Sequence, residues 1–165
     1  MEERTLLILN HVESLLKVSK KEEAEYMLLH SLDIEQTYPQ YMKLGYLYSV
    51  HMNRIEDALQ AYNKALNIDE NNTEAMALIA EMLYRLGRKR EAHVKLLEVI
   101  KGKSNPYQYR AYFLLALLYQ TWNRPERSLR FLNLSLKCKS DYLPAVKMLN
   151  LLKNKYLPTT AMPSG

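Results

Sequence analysis

The chain has 165 residues, 48% hydrophobic and 25% charged, with one cysteine, Cys138. This is the composition of a folded protein and excludes an intrinsically disordered one; a single thiol also excludes an internal disulfide or a multi-cysteine metal site. The net charge of +5 is unevenly spread, since residues 1–84 hold 7 basic and 14 acidic groups (−7) and residues 85–165 hold 16 and 4 (+12). Such a dipole suits an acidic partner for the C-terminal half, or head-to-tail association of two copies.

The chain opens on Met1-Glu2-Glu3-Arg4, and its first apolar stretch breaks at Asn10-His11. A secretory signal needs a basic start and a longer apolar core, so none is expected. The longest apolar run, Tyr112 to Tyr119, is too short to span a membrane. A reducing compartment follows as the expectation: the cytoplasm, with the nucleus as the alternative.

The first predicted helix, Thr5 to Val18, carries Leu6, Leu7, Ile8, Leu9, Val12, Leu15, Leu16 and Val18. It is apolar on more than one face, and a terminal helix has only one neighbour to pack on. The excess is expected to be covered by a second copy, forming a homodimer, or by a partner.

From here a repeat governs the chain. A small residue closes an acid-containing turn at Ala24, Ala58, Ala92 and Ser128, with spacings of 34, 34 and 36. Five residues before each stand Ser19, Asn53, Gly87 and Asn123, types that tolerate a left-handed backbone. Four residues after come Leu28, Tyr62, Leu96 and Leu132; eight after come Leu32, Leu66, Ile100 and Leu136. Each unit therefore reads as two helices. In the third, Met76, Ile79, Ala80 and Leu83 line one face of the first helix, Gly87 breaks it, and Ala92, Leu96, Val99 and Ile100 line the second. A short side chain at the anchor lets the two helices approach closely. The polar stretches 33–39, 69–72 and 101–106 separate units, and the last holds the two residues that lengthen the third spacing. A ninth helix, capped by Asp141 and tolerating Pro144 in its first turn, runs to about Leu157, with Val146, Leu149 and Leu152 to cover the last pair. Residues 158–165 read as a disordered tail.

The segments Arg54 to Leu66 and Leu86 to Ala92 resemble the tetratricopeptide repeat, and the resemblance extends over about residues 5–142. The Leu44-Gly45 pair stands one residue out of register with Ala58, while Ile79-Ala80 and Leu115-Ala116 fit. The resemblance implies an all-α, right-handed solenoid of four helix pairs (about 5–38, 39–72, 73–108 and 109–142) with a capping helix at 142–157, as one domain over 1–157. It also implies a non-enzymatic interaction module, a scaffold, adaptor or assembly subunit, that binds a peptide or protein segment in a groove lined by the first helix of each unit. Projected onto this chain, the inward positions are Leu9 and Glu13; Lys43, Leu47 and His51; Glu74, Ala77, Glu81, Tyr84 and Arg85; and Arg110, Phe113, Leu117 and Gln120.

The carboxylate clamp of chaperone adaptors of this family would need polar side chains in units two to four. Lys43 and Arg110 fall at two of the places, but Leu47, Leu78 and Leu114 occupy the others and cannot donate hydrogen bonds. This argues against a receptor for Hsp90/Hsp70 C-terminal tails. Catalysis is not indicated. His11, His30, His51 and His93 are scattered outside any HExxH arrangement, and four glycines make no phosphate loop. No cofactor or metal is therefore expected. The 13 tyrosines, at helical spacing, suit packing between repeats better than ligand contact. Arg124, Arg127 and Arg130, with Arg88, Lys89, Arg90 and Lys95 one repeat earlier, suggest a basic ridge. Two alternatives to a general interaction module follow: a secretion-type chaperone of the same family, and a nonspecific nucleic-acid binder using that ridge.

Overall fold

The computed structural model describes residues 2–101 and 105–156. The tail expected over 158–165 lies outside the described residues, as do positions 102–104 of the third inter-unit loop. The helices are α1 (Glu2–Lys17), α2 (Lys21–Ile34), α3 (Tyr38–Tyr46), α4 (Ile55–Ile68), α5 (Thr73–Arg85), α6 (Lys89–Lys101), α7 (Gln108–Thr121), α8 (Pro125–Cys138) and α9 (Leu143–Tyr156). A π-helical turn, Leu47–His51, continues α3. No strand occurs among the described residues. The first eight helices form four consecutive pairs. The chain divides into two compact units, residues 1–95 and 96–165, and the division falls inside α6.

Left-handed residues close the first helix of every pair: Ser19 (φ 61°), Asn53 (54°), Gly87 (76°) and Asn123 (54°). Three of these turns share one backbone bond, in which Lys20, Arg88 and Arg124 N–H donate at 2.9 Å to the carbonyls of Leu15, Leu83 and Tyr119. This is the Schellman closure of a helix C-terminus. The second pair differs. There Arg54 N–H reaches back one residue further, to Tyr48 O at 2.8 Å, and Met52 N–H donates to Leu47 O at 3.1 Å.

That difference explains the register of Leu44-Gly45. Val12 precedes Ala24 by twelve residues, as Ala80 precedes Ala92 and Ala116 precedes Ser128, but Gly45 precedes Ala58 by thirteen. The extra residue is absorbed as the π turn, the usual form of a one-residue insertion in a helix. The glycine has its own cause. Tyr62 replaces the leucine of the other units, and its ring is 1% exposed. A Cβ on Gly45 would lie 2.5 Å from Tyr62 Cε1 and 2.7 Å from Cδ1.

Elsewhere the short anchors are buried and their polar atoms are paired. Ser128 Oγ donates to Ala116 O at 2.9 Å, and Ser135 Oγ to Tyr109 O at 2.7 Å. In the first unit, buried Gln40 donates to Ser31 Oγ at 2.9 Å, while its side-chain oxygen accepts from Thr37 N–H and Oγ1. Buried polar groups persist where each finds such a partner. In the second unit, Ala145, Leu149 and Leu152 of α9 pack with Ala116 of α7 and Leu132 of α8. Val146, expected in this set, is only half-buried. The helix takes its first backbone bonds on the Tyr142 carbonyl, one residue after the expected cap Asp141.

The π turn is tied on one side by Tyr48. The Arg54 guanidinium lies 4.4 Å over its ring and bonds Glu25 at 2.7 Å and Asp57 at 2.6 Å. Burial first, and then the hydrogen bond to Glu25, push the Tyr48 hydroxyl up to about 12.

Two outcomes follow from this packing. Gly45→Ala is expected to cost about 1–3 kcal/mol, the range of overpacked cores, read by urea unfolding; an unchanged midpoint would contradict the contact with Tyr62. Raising the Tyr48 pKa favours the neutral phenol in the folded chain, whereas an unfolded tyrosine ionises near ~10. The stabilising difference is thus complete below that pH and is lost as pH rises toward about 12. Thermal melts across this window should fall less steeply in Tyr48→Phe than in the parent, and equal slopes would count against the buried phenol.

Candidate functional site

In the first unit the face of the first helices is set by the π turn. Counted from Gly45, the positions matching Glu13 of α1 and Glu81 of α5 are Tyr46 and, one turn on, Val50, not Leu47 and His51. Accordingly Tyr46 is 43% and Val50 58% exposed, while Leu47 is fully buried. Leu47 therefore leaves the candidate face: the inserted residue rotates it into the core. Tyr46 and Val50 are the residues that the sequence reading missed. The one-residue offset of Leu44-Gly45 was the signal, had the count been taken from the glycine instead of from Ala58.

Lys43 and His51 flank this exposed pair. Lys43 Nζ meets Glu13 Oε2 at 2.5 Å, linking α3 to α1, and lies 5.5 Å over the Tyr46 ring. His51 meets the same ring edge-on, with centroids 5.4 Å apart. The hydrogen bond from Lys43 is the first reason that the Glu13 carboxyl is held below its usual range; the charges of Lys43, Lys17 and His51 add to it, against burial. The result is an exposed apolar step, Tyr46 and Val50, beside a fixed pair of opposite charges.

Arg85 has an internal task. Its guanidinium donates to the Ser49 carbonyl at 3.1 Å and to Asn53 Oδ1 at 3.0 Å, so α5 clamps the end of the π turn. Glu81 and Tyr84 are half-buried on the same helix, and Glu81 is engaged by neighbouring groups. Leu9 and Glu74 are half-buried and Ala77 is buried.

In the second unit, α7 presents Arg110, Phe113, Leu117 and Gln120, all half-buried. Phe113 packs edge-on against Tyr142 with centroids 5.4 Å apart, so much of its ring serves the join to α9. Arg110 is also held by neighbouring groups. The side-chain oxygen of Gln120 is buried and receives no hydrogen bond from the described residues.

The basic residues are also partly committed. Arg88 Nε bonds Glu91 at 2.7 Å, and that hydrogen bond is the chief reason that the Glu91 carboxyl is lowered. Arg127 lies 5.4 Å over the Tyr119 ring, which stacks in turn on Phe131. Lys89 is half-buried at the start of α6, whereas Arg90, Arg124 and Arg130 are exposed and Lys95 is engaged. Of the histidines, His30 stacks on Tyr26, His11 lines a groove between α1 and α2, and His93 is half-buried. No group of three or more His, Cys, Asp or Glu among the described residues could hold a metal ion. Among them, too, no helix is long and apolar enough to cross a membrane. Cys138 is an exposed free thiol.

Several solved structures share this fold. PilF of Pseudomonas aeruginosa is 21% identical, with a TM-score of 0.80 over 93% of this chain and 69% of its own. MamA of Desulfovibrio magneticus RS-1 is 18% identical, with a TM-score of 0.73 over 90% of this chain and 83% of its own. YrrB, described as a tetratricopeptide protein with an unusual peptide-binding site, is 19% identical, with a TM-score of 0.72 over 87% of this chain and 73% of its own. No curated protein matches the chain in sequence. The tetratricopeptide-repeat family model matches residues 41–72 and 109–142, the second and fourth helix pairs. The family model thus covers two of the four helix pairs, and the chain as a whole shares the fold of these tetratricopeptide-repeat structures.

Proposed function

We propose that this chain is a non-catalytic protein-binding module that captures a peptide segment on the first-helix face of its N-terminal unit. The observation that carries the reading is the exposed pair Tyr46 and Val50 set beside the Glu13–Lys43 ion pair. An apolar step gives a ligand side chain somewhere to bury, and tyrosine does so at low entropic cost while offering a polar tip. The adjacent charges give direction, since an incoming group can exchange with either member of the pair. A helical or extended segment would lay its anchors along Tyr46 and Val50, with a carboxylate toward Lys43 or a cation toward Glu13.

The second unit supports the same mode with a different chemistry. The unit is basic, holding 11 Lys and Arg against 3 Asp and Glu over residues 96–165. An acidic protein segment is the partner that such a surface would attract. YrrB, in which a peptide-binding site is described, supports peptide capture as a use of this fold. The role of scaffold or adaptor, and a cytoplasmic setting, belong to the same proposal.

The test is a peptide library selected on the full chain, with affinities then measured for Tyr46→Ala, Val50→Glu and Lys43→Glu. Each substitution is expected to cost at least about 1–2 kcal/mol, roughly tenfold in affinity. Peptides that bind all three variants as tightly as the parent would remove this face. Recovery of no peptide, together with salt-sensitive retention of RNA, would replace the reading by nucleic-acid binding through the basic unit.

A further inference from the structure

The N-terminal helix pair keeps an apolar groove on a stripe of α1 distinct from Glu13. Ile8, Leu15 and Met27 line it, Tyr26 and Ile34 stand exposed along it, its charged lining is Glu22 and Glu23 against Arg4, and its volume is about 680 Å³. Tyr26 is 73% exposed. The hairpin that carries the groove, residues 2–34, holds seven acidic and four basic groups.

The other end of the chain has the complementary character. Helix α9 buries Ala145, Leu149 and Leu152 and turns the opposite stripe outward, with Leu143, Lys147, Leu151 and Lys155 four residues apart and all exposed. Leu151 is 65% exposed. The helix has three lysines and no acidic residue. Among the described residues this amphipathic cationic ridge is exposed on its outer side, and an apolar groove on an acidic hairpin is the receptor that such a ridge fits.

We infer that the occupant of the α1–α2 groove is α9 of a second copy of this chain, so that copies associate head to tail. Charge decides the arrangement. A symmetric contact of groove on groove would set one acidic hairpin against another, and ridge on ridge would set lysine against lysine. Only the groove-to-ridge contact pairs opposite signs while burying both sets of exposed apolar side chains. Such a contact is heterologous: each added copy leaves one groove and one ridge open, and growth continues past the dimer unless a ring closes. The surfaces are separate from the Tyr46–Val50 face, so this inference and the peptide-binding reading can fail independently.

Sedimentation velocity of the full chain tests it, over rising concentration at low and at high salt. The expected result is a series of species growing beyond the dimer at low salt and lost at high salt, because the charge pairs at the rim are screened. Tyr26→Lys with Ile34→Lys blocks the groove, and Lys147→Glu with Leu151→Glu blocks the ridge; all four positions are exposed, so each variant should keep the parent's helical signal. Each variant alone should lose every species above monomer. Mixed in equal amounts they should form a one-to-one pair and nothing larger, because one retains its ridge and the other its groove. The inference is overturned by a parent that stays monomeric at low salt, by assembly that either folded variant alone retains, or by a mixture that leaves both folded variants monomeric. Should a variant lose its helices, the parent's growth past the dimer and its salt response still decide.

Discussion

Everything in the N-terminal unit depends on how closely two helices can approach where α3 crosses α4. Tyr62 puts a ring where the other pairs have leucine, and the only room for it is over a residue with no side chain, Gly45. Once that contact is made, thirteen residues must run from Gly45 to Ala58 where twelve suffice elsewhere, and a regular helix cannot end in register with its partner. The chain resolves the mismatch by widening one turn. The π turn in turn leaves a backbone carbonyl, Ser49 O, that α5 reaches with Arg85, and it brings Tyr48 under Arg54. A single packing choice thus propagates into a backbone irregularity, a clamp between repeats, and a rotation of the helix face.

That rotation links the fold to the proposed function. Without the extra residue, Lys43 and Leu47 would share the exposed stripe with His51, as an uninterrupted helix predicts. With it, Leu47 enters the core and Tyr46 and Val50 come out. Irregular helical turns are common where a protein must re-aim side chains, and here the re-aimed residues are the apolar ones beside the Glu13–Lys43 pair. The second unit shows the contrast. α7 is regular, its projected residues are half-buried, and Phe113 gives much of its ring to Tyr142.

Much of the architecture was legible in the amino-acid order because it rests on residue types with narrow backbone or volume requirements. Ser19, Asn53, Gly87 and Asn123 were readable as turn residues, and each has a positive φ. Ala24, Ala58, Ala92 and Ser128 marked the second helices, since a crossing helix tolerates only short side chains there. The face of α3 was less legible for a physical reason. The thirteenth residue was visible as a misplaced Leu-Gly pair, but whether it would be extruded into a loop or absorbed within the helix depended on Tyr62, Tyr48 and Arg85 acting together. Pairings such as Arg85 with Ser49 O also have no periodic signature, so a residue that looked free for a ligand turned out to hold the backbone.

The most direct measurement is the reactivity of single cysteines across the π turn. In a Cys138→Ser background, Tyr46→Cys, Leu47→Cys and Val50→Cys would each be labelled by a water-soluble thiol reagent under native conditions. The account predicts rapid modification at 46 and 50 and strong protection at 47, with the protection lost on denaturation. Rapid labelling at 47 with protection at 46 and 50 would mean an uninterrupted helix, and would contradict both the widened turn and the binding face built on it.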